Sequence, residues 1–253
     1  MKNLVRKGWR PTLVLLILFI LWELITSLLD IPEWLVPSPS AILLEGFIGF
    51  SEFAPDLLAT LYLSILGFLV GSGLGVFTAT LLHLVPKIRE AFYPLLIATQ
   101  NIPIIVMAPL LVIWFGFGLL PKVIVITLVC FFPVTISVMD GFRQVPREYS
   151  LYFRMSGATR WGTFRKLEWP FALPALFSGL KLSATYSVMG AVISEWLGAK
   201  NGIGVYMTLA SSSFRTDRVF WAIFVVVLLS LSYVGMVMIA EKKIVSWNSD
   251  KER

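Results

Sequence analysis

The chain has 253 residues, 57% of them hydrophobic and 14% charged, with a mean hydropathy of +0.83. A soluble domain carries about 25% charged residues, so a water-exposed globule is excluded. The net charge of +6 is judged by its position along the chain and is not taken as a nucleic-acid surface. With one cysteine (Cys130) and one histidine (His83), neither a disulfide framework nor a Cys/His metal cluster can be built, and no metal site is expected.

Six stretches reach the ~20 apolar residues that a helix needs to cross a bilayer: approximately 11–29, 57–84, 94–115, 120–139, 172–194 and 219–240. None alternates like a barrel strand, so an all-α integral membrane fold with six transmembrane helices is expected. The first follows Lys2, Arg6, Lys7 and Arg10, and no small-x-small cleavage pattern follows it, so it is read as an uncleaved span. With the N-terminus inside, segments 1–10, 85–93, 140–171 and 241–253 are cytoplasmic and hold 16 of the 21 Lys and Arg residues. That bias predicts cytoplasmic N- and C-termini. Three units are expected: 1–56, a span with an external amphipathic segment; 57–240, the transmembrane core; and 241–253, a cytoplasmic tail.

Segment 30–56 has five acids and no Lys or Arg. Its "PSPSAILLEGFIGF" reads either as a short helix at the outer interface, capped by serine, or as an ordinary loop. Glu23, on the first span, is expected to face a neighbouring helix or to snorkel. On the second span Gly67, Gly71 and Gly75 recur every four residues, a track for close helix packing or a hinge, within one chain or across a dimer. Gly73 widens the small surface.

Polar groups at membrane depth are costly unless satisfied. Gln100 and Asn101 precede "PIIVMAP", where Pro103 and Pro109 are expected to break the helix. Tyr186, Ser187 and Glu195 occupy the fifth span or its end. Such groups line a pathway or tie helices together. "GSGLG" (71–75) has no following Lys-Ser or Lys-Thr, and no Walker A pattern occurs. The scarcity of His, Cys and clustered acids argues against an intramembrane enzyme.

The long connection 140–171 interrupts the apolar pattern. "VPREYSLYFRMS" plots as a helix with Val145, Tyr149, Tyr152, Phe153 and Ser156 on one face. Gly157 then offers a left-handed turn. Ala158, Trp161, Phe164 and Leu167 follow at intervals of three, among Arg160, Arg165 and Lys166. Two short amphipathic helices joined at Gly157 are expected, with Pro170 and Pro174 bracketing the return to the membrane. The pair could lie on anionic lipid, self-associate, or dock into a groove on another protein.

This segment resembles the cytoplasmic EAA loop of permease subunits of binding-protein-dependent ABC importers, whose pattern is E-A-A-x3-G-x9-I-x-L-P. Gly157 takes the glycine position, Leu167 and Pro170 the closing I and P, and Trp169 stands where the pattern has Leu. Leu151, Tyr152 and Phe153 occupy the E-A-A positions, so the usual acid is absent; Glu148, one turn earlier, is a candidate substitute. Residues 101–134 and 190–220, with "TYSVMG" (185–190), resemble the nitrate, sulfonate and taurine permease family, and most of all its branch for pyrimidine precursors of thiamine.

The resemblance implies a type I ABC importer (MetI-like) permease fold in a bacterial cytoplasmic membrane, working by alternating access. It implies a second permease copy, two ATP-binding subunits that bind ATP and magnesium, an extracytoplasmic substrate-binding protein, surrounding lipid and no nucleic acid. The chain itself would bind no cofactor and hold no catalytic residue. Glu148, Leu151, Arg154, Gly157, Arg160, Trp161, Phe164, Leu167 and Pro170 would form the ATPase-coupling loop. Gln100, Asn101, Tyr186, Ser187 and Glu195 are the candidate pathway residues for hydroxymethylpyrimidine or formylaminopyrimidine, or else for a sulfonate, taurine, nitrate or another small solute. A passive channel is the remaining rival.

Overall fold

The structure is a computed structural model that describes residues 2–245, with side chains from residue 9 onward. Among these residues every regular element is helical. The helices are α1 (Lys2–Leu28), α2 (Pro39–Ile48), α3 (Phe50–Leu84), α4 (Pro86–Gln100), α5 (Ile104–Phe115), α6 (Leu119–Arg143), α7 (Arg147–Met155), α8 (Arg160–Thr163), α9 (Trp169–Glu195), α10 (Ile203–Ser212) and α11 (Thr216–Ile244). Helix α3 runs unbroken across residues 56 and 57, and residues 246–253 of the expected tail lie outside the described residues.

The central element is α6, whose Ile126, Cys130, Val134 and Val138 form a fully buried stripe at four-residue spacing. On one side lies α3, with Gly67 against Ile126, Gly71 against Cys130 and Gly75 against Val134. The small residues let the backbones approach closely within one subunit; Gly73 faces open space. Numbering rises together along α3 and α6, so the two helices are parallel and the chain between them must return across the layer. That return is α4 and α5, apolar together but bent by 100°. The break falls at Asn101–Pro103, whereas Pro109 sits inside α5 without interrupting it. Counting the bent pair once, six segments have the length and composition to cross a membrane.

Helix α9 also packs on α6, antiparallel to it, and touches α3 as well. Gly141 meets Ala172 and Ala175, and the Ser183 hydroxyl donates to the Cys130 carbonyl at 2.8 Å. Helix α11 packs along α3 and α9, with Tyr233 Oη 2.9 Å from Ser64 Oγ and Lys181 Nζ 3.0 Å from Glu241 Oε2. Helix α1 is peripheral. It meets the body through Trp22 and Glu23, and from Trp9 onward it mostly exposes an apolar surface fit for lipid.

Segment 30–56 does contain a helix, α2. Ser38 caps it by accepting from Ala41 N, and Glu23 completes the cap by accepting from Ser40 N at 3.0 Å and Ser40 Oγ at 2.6 Å. A carboxylate at a helix N-terminus is favoured by the orphan N–H groups and the helix dipole. Arg218 then ties α2 to α11, its Nε 2.7 Å from Glu45 Oε1.

Candidate functional site

The connection 144–170 differs from the expectation in its second half. Helix α7 ends at a Schellman turn, in which Ala158 N donates to Phe153 O and Gly157 N to Arg154 O. Gly157 takes φ +75°, a left-handed conformation that costs a side chain dearly. Beyond it, α8 is not a separate helix returning to the membrane after Pro170. It continues through a π-turn at Phe164–Glu168, where Trp169 N donates to Phe164 O, straight into α9. Proline cannot donate to the carbonyl four residues earlier and its ring crowds that carbonyl; the wider turn just before Pro170 gives the room.

This continuity divides the loop residues. Glu148, Leu151, Arg154, Gly157 and Trp161 are exposed, as are Tyr149, Tyr152 and Met155, and α7 buries none of its side chains. Phe164 and Leu167 are buried instead; Phe164 packs in a cluster with Leu82, Val138 and Phe142, and Pro170 is half-buried. The surface open to a partner is therefore α7, the Gly157 turn and the outer face of α8.

Arg160 is exposed but reaches from the surface to an ion cluster. His83 Nε2 lies 2.7 Å from Glu168 Oε2, Arg160 pairs with Glu168 Oε1 at 2.5 Å, and the His83 ring stacks on Phe142 at 4.2 Å. An ionised carboxylate only accepts, so Nε2 carries the proton. The Arg160 nitrogen 3.2 Å from it is then a close neighbour and not its donor. Residue-type reading missed this cluster. Its signal was that His83 is the chain's one histidine and Glu168 the one acid between Glu148 and Glu195.

The break between α4 and α5 opens on a crevice of 580 Å³ lined by Gln100, Asn101, Pro103, Pro133, Ser137 and Tyr186, together with apolar side chains of α6 and α9. Among the described residues, no charged side chain lines it. Asn101 anchors its amide to Ile97 O at 2.8 Å, leaving its carbonyl oxygen open. A second crevice, 670 Å³ and almost wholly apolar, lies on the other flank of the break and shares Ile102, Ile104, Leu128 and Phe132.

Ser187 and Glu195 lie elsewhere. Ser187 is fully buried and its hydroxyl donates to Ala184 O. Glu195 is 2% exposed and accepts from Thr60 Oγ1 at 2.7 Å and Gly204 N at 2.8 Å. Thr60 Oγ1 also accepts from Ile203 N, and Asp56 accepts from Gly202 N at 2.7 Å. Three successive N–H groups at the start of α10 are thus satisfied by α3 and α9. Beyond α10, Asp217 and Glu45 surround the Arg215 guanidinium and hold its pKa above the ordinary value.

The profile of the family described as "Binding-protein-dependent transport system inner membrane component" matches residues 71–246. The chain is 34% identical to the formylaminopyrimidine transport permease protein ThiX of Halalkalibacterium halodurans, over 94% of this chain and 95% of that one. It is 31% identical to the riboflavin transport system permease protein RibX of Chloroflexus aurantiacus, over 96% and 90%. Its fold is similar to a chain of the inward-facing MetNI methionine ABC transporter, with a TM-score of 0.61 at 18% identity, covering 74% of this chain and 94% of that one. The chain belongs to the inner-membrane component family of binding-protein-dependent transport systems, as a multi-pass permease subunit of an ABC importer with a type I fold.

Proposed function

We propose that two copies of this chain form the pathway of an ATP-driven importer for a pyrimidine precursor of thiamine, of the hydroxymethylpyrimidine or formylaminopyrimidine type. The observation that carries the substrate class is the uncharged crevice at the α4–α5 break. Its carboxamides (Gln100, Asn101) and phenol (Tyr186) suit the polar edge and flat face of a neutral heterocycle. An anion such as a sulfonate would call for a cation there. The relatives at 34% and 31% identity are named for formylaminopyrimidine and riboflavin, both planar nitrogen heterocycles.

In this reading both termini face the cytoplasm. Two ATPase subunits, which bind ATP and magnesium, each hold one α7–Gly157–α8 surface in a groove, and Glu148 serves where Leu151 replaces the usual acid. Closure of the ATPase pair drives α8 and, because α8 is continuous with α9, the pathway wall. A substrate-binding protein delivers the solute from outside. Uptake of labelled formylaminopyrimidine into vesicles containing the chain, its ATPase and its binding protein tests this. ATP-dependent uptake blocked by excess unlabelled pyrimidine, but not by taurine, is expected. Uptake of taurine or a sulfonate in its place would refute the substrate class, and uptake without ATP would point to a passive channel.

A further inference from the structure

Both carboxylates that bracket α9 are buried, and both are engaged with α3. At one end Glu168, 7% exposed, meets His83 in the last turn of α3. At the other, Glu195, 2% exposed, accepts from Thr60 near the start of α3. Lengths of α3 and α9 agree with this. Residues 60–83 rise about 35 Å and residues 168–195 about 40 Å at 1.5 Å per residue, so two antiparallel rods are pinned near both ends. Each pin also holds a surface element. Glu168 pairs with Arg160 of α8, beside the exposed loop. Glu195, with Thr60 and Asp56, holds the first N–H groups of α10.

Glu168 holds His83 and Arg160, and Glu195 holds a hydroxyl and a backbone N–H; buried polar groups of this kind are poor devices for stability alone, and their better-attested use is to fix one arrangement among several. Separating the rods would leave both buried carboxylates short of hydrogen-bond partners, so the pins resist it. We infer that α3 and α8–α9 move as one rigid body, with Glu168 and Glu195 as positioning residues that link the ATPase-facing loop to α10 on the opposite face. Binding of an external partner at the α10 face thereby reaches the ATPase through this rod pair. This inference rests on the importer reading above.

The test uses the assembled transporter in vesicles and measures how far the external binding protein stimulates ATP hydrolysis. Glu168→Gln and Glu195→Gln keep shape and remove charge. Each is expected to lower the stimulation roughly fivefold or more, the lower end of ordinary coupling between sites. The double variant is expected to lower it no further than the worse single, because both pins serve one link. Wild-type stimulation in either single variant, or multiplying losses in the double, would overturn the link. Absence of stimulation in the wild-type complex would instead overturn the importer reading. A second measurement does not depend on those variants. Spin labels at Arg165 and Leu209, both exposed, should keep their distance within one chain between nucleotide-free and ATP-bound states, while Leu209 and Ile113 of α5 change theirs. A changing Arg165–Leu209 distance would refute the rigid body.

Discussion

Gly71 on α3 and Cys130 on α6 stand so close that a Cβ built on Gly71 would lie 2.7 Å from the Cys130 Cβ and 2.7 Å from Thr127 O. One neighbour is backbone and cannot turn aside. Gly71→Val is therefore expected to force the two central helices apart and lower stability by about 1–3 kcal/mol, seen as a lower melting temperature of the purified protein. Gly73→Ala, whose new methyl meets nothing within 4 Å, should not destabilise and should raise stability by about 0.5–1 kcal/mol, as for a mid-helix glycine replaced by alanine.

Gly157 presents the opposite case, since a Cβ there has space but φ is +75°. Gly157→Val strains the backbone by about 1–2 kcal/mol and re-aims α7 relative to α8. The variant should still fold, because no core contact is lost, yet uptake per ATP hydrolysed should fall. Comparing uptake and ATPase rates in the same vesicles checks this; normal coupling would speak against a loop that transmits force.

Within the loop, exposure separates two kinds of aromatic. Trp161→Ala should leave the melting temperature in place and weaken ATPase binding by about 2 kcal/mol, as for an interface anchor. Phe164→Ala should lower stability by about 3 kcal/mol through the cavity it leaves. Glu148→Ala should weaken capture of the ATPase; unchanged assembly and uptake would leave the missing acid at Leu151 without a substitute. Pull-down of the ATPase and thermal unfolding together decide all three.

In the crevice, Tyr186→Phe and Gln100→Ala should each raise the KM for uptake about fivefold, the effect of one lost hydrogen bond near 1 kcal/mol. Ser187→Ala should not change KM, because that hydroxyl is turned to Ala184 O. Concentration series of uptake distinguish these outcomes.

At the end of α10, Phe214 holds φ +55° in a Schellman turn closed by Arg215 N to Ala210 O and Phe214 N to Ser211 O. Glycine is the residue suited to that position. Phe214→Gly should raise stability by about 0.5–1 kcal/mol, the relief of strain less the added freedom of the unfolded chain. Phe214→Ala, which keeps a Cβ, should give no such gain in thermal unfolding.

The membrane class, the six apolar segments and the Gly67–Gly71–Gly75 track were legible in the residues themselves, because lipid demands long apolar helices and close backbones demand small side chains. So was the glycine turn at 157, since few other residues tolerate it. The direction of side chains at element junctions was not legible. Phe164 and Leu167 read as part of an exposed amphipathic helix, until the π-turn before Pro170 rotated them into the core. Glu195 read as a pathway residue because a lone acid near a span suggests function; only the return of α10 against Thr60 and Glu195 shows where its hydrogen bonds go. His83 and Glu168 are 85 residues apart, and no local pattern links them. Composition and periodicity therefore determined what must be buried in lipid or protein. Which buried polar groups satisfy one another was decided by tertiary packing, because partners distant in the chain meet only when the helices have been placed.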